Sequence, residues 1–115
     1  MIYGKWLKGT DDLSALEREI TKEDLFSWHL IVRTDDGKVS RCSLTPFIDS
    51  FCIRELSYTY DWELELMLRM THAKLDSLGK KQVYADADIC GFGFEPYKDG
   101  ISVAKELVLP KHCKE

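Results

Sequence analysis

IRELSYTYDWELELMLRMTHAKLDSLGKK, residues 53–81, is the stretch whose reading decides the fold. It contains no Gly or Pro before Gly79, and most of its side chains favour burial, so it should form the spine of the core. Two periods compete in it. From Leu56 to Met70 every even position is apolar, including Tyr58, Tyr60, Trp62, Leu64, Leu66 and Leu68, and period two marks a strand with one buried face. One strand of that length would reach roughly 50 Å, so it would have to bend. A tight hairpin at Tyr60-Asp61 would reverse the inward parity and is excluded by the same alternation.

The helical period begins at Asp61. Leu64, Leu68, Leu75 and Leu78 share one arc with Met67 beside them, and Glu65, Arg69, His72 and Asp76 form a polar stripe. Asp61 can cap the start, Glu63 suits the positive end of the dipole, and Gly79 followed by two lysines suits the stop. Only Thr71 is β-branched between Asp61 and Lys81, and the rest is rich in helix formers. The sequence therefore predicts a strand to Tyr60 and a helix from Asp61, with a long bent strand as the alternative. Trp62, Leu66 and Met70 make a second side of that helix apolar, which predicts burial between layers.

Outward from the spine, Ile2, Tyr3, Trp6 and Leu7 suggest an edge strand. Thr10 or Asp11 can cap an amphipathic surface helix over Asp12–Thr21, with Leu13, Leu16 and Ile20 on one face. FSWHLIVRT and KVSRCSL flank Asp36-Gly37, the pair favoured where φ must be positive, and predict a hairpin ending at Pro46. Phe47, Ile48, Phe51 and Ile53 read as an apolar linker or short turn into the strand ending at Tyr60. A strand follows over Val83–Cys90, then a turn at Lys98-Asp99-Gly100 and a last strand or short helix in ISVAKELVLP. The expectation is one α+β domain over residues 1–115, with a mainly antiparallel sheet, an N-terminal amphipathic helix and a central buried helix.

Composition places the chain among ordinary globular proteins, with 44% hydrophobic and 31% charged residues. A net charge of −4 argues against nucleic acid and anionic membranes as partners, and MIYGKWLKGT lacks a signal peptide's apolar core. A cytoplasmic location is expected, and Cys42, Cys52, Cys90 and Cys113 then read as reduced thiols filling core positions.

Chemistry is sparsely signalled. Asp86 and Asp88 would share one strand face, yet two carboxylates do not complete a cation site, and no third is tied to them by spacing. Gly91-Phe92-Gly93-Phe94 lacks the third glycine and the following helix of a phosphate loop. His29, His72 and His112 are scattered, and only His112-Cys113 is a local pair. No catalytic residue, cofactor or metal is expected.

What remains is acidity beside aromatic side chains, a combination suited to docking on a basic protein. Glu63, Glu65, Asp86, Asp88, Tyr58, Tyr60, Trp62 and Tyr97 are the candidate contact residues. The expected function is a small inhibitory binding protein of the immunity or antitoxin kind found beside bacterial toxins, occluding a basic partner such as a nuclease. The alternatives are a small-molecule module or minor enzyme with a pocket between helix and sheet, and a structural or regulatory subunit joined through an edge strand.

Overall fold

Alternating side chains build the sheet, and breaks in the alternation mark its corners. The computed structural model describes residues 3–8, 14–15, 17–18, 26–34, 36–89 and 91–107. Its strands are β1 (Tyr3–Lys8), β2 (Trp28–Arg33), β3 (Val39–Phe47), β4 (Ser50–Ser57), β5 (Val83–Ala85), β6 (Phe94–Lys98) and β7 (Ile101–Ala104). They form one sheet in the order β1-β2-β3-β4-β5-β7-β6, antiparallel throughout except between β4 and β5. Parallel neighbours need a crossover, and α1 (Asp61–Ser77) supplies it. The architecture is mixed α and β, with a mostly antiparallel sheet and, among the described residues, a long helix in the middle of the chain.

The strand alternative for residues 61–70 is thereby overturned, and the period-two pattern has a specific origin. β4 carries a bulge: Arg41 faces Ser57 while Ser43 faces Arg54, and Glu55 takes φ 54°. The extra residue flips the inward parity, so Ile53 and Leu56 both pack on the core. The even positions that follow belong partly to the junction and partly to the helix. Of the linker or short turn expected after Pro46, the structure has the turn, at Ile48-Asp49, and β4 starts directly after it at Ser50. β3 runs through Pro46, which lies beyond the end of β2 and so forfeits no bond to that neighbour.

The N-terminal amphipathic helix is not established. Most of 12–21, with Thr10 and Asp11, lies outside the described residues. Within them Ala15, Glu17 and Arg18 are helical behind a capping box at Ser14: the Glu17 N–H donates to Ser14 Oγ (3.2 Å) and the Ser14 N–H to Glu17 Oε1 (3.0 Å).

α1 packs on one face of the sheet, not between layers. Leu30, Val32, Cys42, Leu44, Ile53, Val83, Ala85 and Ala104 meet Met67, Leu68 and Leu75 there. Each fully buried leucine contributes about 2 kcal/mol. The approach is close at β1, where a Cβ on Gly4 would lie 2.7 Å from Met70 Cε. Trp62 is 43% exposed, and Leu66 and Met70 are half-buried against the margin of the core, so among the described residues the second apolar side is only partly covered. The predicted polar stripe holds at Glu65, Arg69 and Asp76, which are exposed. It fails at His72, which is fully buried because Phe92 and Phe94 fold over it, at ring distances of 6.0 and 5.8 Å. Gly79, at φ 77°, ends the helix in a Schellman arrangement, with the Lys80 N–H donating to Leu75 O (2.9 Å) and the Gly79 N–H to Asp76 O (3.0 Å).

The opposite face buries Leu7 with Ile31, and Cys52 with Tyr84 and Val103. Cys42 and Cys52 are buried free thiols. Burial pushes the first up to about 12 and raises the second, which favours the neutral thiol in both. Cys90 and Cys113 lie outside the described residues. The strand predicted over Val83–Cys90 is only three residues long and bends away at Asp86, while β6 was not foreseen.

The β3–β4 hairpin turns through Ile48 and Asp49. Ile48 adopts φ 54° although β-branched and 67% exposed, a conformation that suits Gly or Asn. Ile48→Asn is expected to stabilise the fold by about 1 kcal/mol, raising the melting temperature by about 4 °C. A lower melting temperature would show that the isoleucine makes contacts worth more than the strain.

Candidate docking surface

The β2–β3 turn and the β4–α1 junction meet at one end of the sheet. Gly37, at φ 80°, closes the turn, and its N–H donates to Thr34 O (3.0 Å). The Asp36 carboxylate accepts from the Thr34 hydroxyl and from the Lys38 N–H (3.2 Å); these bonds hold its pKa below the usual aspartate range. Lys38 is thereby aimed across the gap. Its ammonium lies 3.3 Å from the Tyr60 hydroxyl and 5.0 Å from the ring centre. The Tyr60 hydroxyl, with Asp36 and Glu63 beyond it, raises the Lys38 pKa.

Tyr60, not Asp61, is the N-cap of α1, in extended conformation, and Asp61 is the first helical residue. The cap is closed from the other side. Glu63 turns back under the junction, where its Oε1 accepts from the N–H groups of Thr59 (3.0 Å) and Tyr60 (2.8 Å). Burial alone would raise its pKa; the Tyr60 N–H, the Ser40 hydroxyl and the Thr59 N–H outweigh that and hold it below the usual glutamate range. This fixed junction lays the Trp62 ring nearly parallel to Tyr60, 8° apart at 6.2 Å between centroids. Tyr58, Tyr60 and Trp62 are each about 40% exposed, which makes an aromatic platform at the helix start. Three exposed carboxylates (Asp36, Asp61, Glu65) accompany two cations, Lys38 and Arg69, the latter paired with Glu65 at 2.8 Å.

The eight candidate residues do not form one surface. Tyr58, Tyr60, Trp62 and Glu65 gather at this junction. Glu63 is fully buried beneath it and presents nothing to a partner. Asp86 leaves the sheet after β5 and pairs with Arg54 (3.3 Å), Asp88 is exposed in the loop that follows, and Tyr97 packs edge-on against Tyr84 (5.3 Å) on the face away from α1. Asp36 and Lys38 were legible only as turn residues, because what brings them to Tyr60 is strand pairing across 22 positions.

Among the described residues no group of three or more His, Cys, Asp or Glu could hold a metal ion, and no helix is long and apolar enough to cross a membrane. Burial pushes the His72 pKa down to about 4, which leaves a neutral imidazole inside the core. Comparison of the chain with family models, with curated proteins and with solved structures finds no match in any of the three.

Proposed function

We propose that the chain is a small inhibitory binding protein of the immunity or antitoxin kind, acting in the cytoplasm on a basic protein such as a nuclease toxin. The observation that carries this reading is the exposed, rigidly held Tyr60–Trp62 stack with Tyr58 beside it, set among carboxylates. Exposed Tyr and Trp are the side chains that most often anchor protein interfaces, because they offer large contact area with little entropy to lose. The surrounding negative charge favours a cationic partner and speeds its approach. A ligand pocket between helix and sheet is less favoured, since that space is filled by Met67, Leu68, Leu75 and the sheet's inward side chains.

The test is capture of partners from a lysate of the native host, with the bound proteins identified by mass spectrometry. One stoichiometric basic protein is expected. Trp62→Ala and Tyr60→Ala should each weaken its binding by about 30-fold or more, with folding intact. Unchanged capture by both variants would remove the platform from the interface, and an empty capture would count against neutralisation of a protein.

A further inference from the structure

We propose that the sheet face away from α1 carries a binding site for a phosphate group, formed by Arg33 and Arg41 beside a small cavity. Strand register places the residues. Lys5, Ile31 and Arg41 lie directly across from one another on β1, β2 and β3, and Arg33 is two positions from Ile31 on the same face. Ile31 packs with Leu7 and not with the helix-facing core, which fixes the face as the one opposite α1. A cavity of about 160 Å³ opens there, lined by Lys5, Glu17, Ile31 and Arg33.

The charges on this side are unevenly matched. Lys5 is bound by Glu17 at 2.8 Å and Arg54 by Asp86 at 3.3 Å. Arg33 and Arg41 form no ion pair among the described residues, in a chain with 20 acidic residues against 16 basic, and the Glu55 carboxylate on the neighbouring strand accepts from the Ser43 hydroxyl (3.4 Å). They stand diagonally on adjacent strands, about 7–8 Å apart by strand geometry, where like charges repel. An anion between them would relieve that repulsion. The guanidinium fork fits two phosphate oxygens at once, so each arginine can donate a parallel pair of hydrogen bonds. Lys5 holds Glu17 ionised and screens its charge, so the anion sits on the arginine side of the cavity. Ile31 forms the floor. The phosphate can be free or the end of a small molecule, and the arginines lie on the sheet face away from α1.

The test is a titration followed by amide and arginine side-chain NMR, at constant ionic strength set with sodium chloride, using inorganic phosphate and glycerol phosphate in parallel. Saturable shifts centred on Lys5, Ile31, Arg33 and Arg41 are expected. Arg33→Gln and Arg41→Gln should each weaken binding about 10-fold with an otherwise unchanged spectrum, and Arg33→Lys should fall between. Tighter binding of glycerol phosphate would identify a phosphate carried on a small molecule, and equal binding a free anion. Shifts that grow linearly without saturating, or glutamine variants that bind as the parent does, would overturn the site.

Discussion

Glu63→Lys is expected to abolish cooperative folding at room temperature, while Glu65→Lys, two residues along, should move the melting temperature by no more than about 4 °C. Both glutamates sit at odd positions of the same acidic run, yet their surroundings are opposite. Glu63 is fully buried and satisfies two N–H groups at the N-terminus of α1. Lysine there would leave those donors without an acceptor and place an ammonium beside them in the protein interior, against the positive end of the helix. Glu65 projects into solvent, and its pair with Arg69 is an exposed contact of small worth. Glu63→Gln should fall between, since its amide oxygen can still accept. Circular dichroism melts of the three variants decide the matter, and a parent-like transition for Glu63→Lys would mean that the junction is not closed as described.

Mild acid is expected to weaken the fold through His72. Its folded pKa of about 4 lies below the ordinary 6.5, so the unfolded chain takes up the proton more readily than the folded one. The stability from this group is whole above about pH 6.5 and is lost progressively as the pH falls toward 4. The full loss is about 3 kcal/mol, a large share of a small domain's stability. Glu17, Asp36 and Glu63 have lowered pKa values, so their contributions are whole above the usual carboxylate range and are lost as the pH falls into and through it. Between pH 6.5 and 4.5 His72 should therefore account for a distinct part of the decline. Urea unfolding at a series of pH values should show it in the parent and a much flatter profile in His72→Leu. An equal slope in both would place the imidazole in contact with water.

The two predictions mark the limits of the sequence. Local chemistry was enough to identify α1, because good helix formers, one β-branched residue and a terminal glycine all act over a few positions. The same holds for the β2–β3 hairpin, which Asp36-Gly37 specifies by itself, and for a mainly antiparallel sheet. Tertiary structure alone decided the rest. The bulge at Glu55 reset the strand parity, a shift that the alternation of residues 56–70 masked by continuing into the helix. His72 lies on the helix's polar side by period and is buried only because a distant loop delivers Phe92 and Phe94. Of the eight candidate residues, four came together at the β4–α1 junction, since adjacency in the chain placed them there. Glu63 was withdrawn by its capping role. Lys38, Asp36 and the Arg33–Arg41 pair gained their neighbours through strand register, which joins residues far apart in sequence and leaves no trace in local composition.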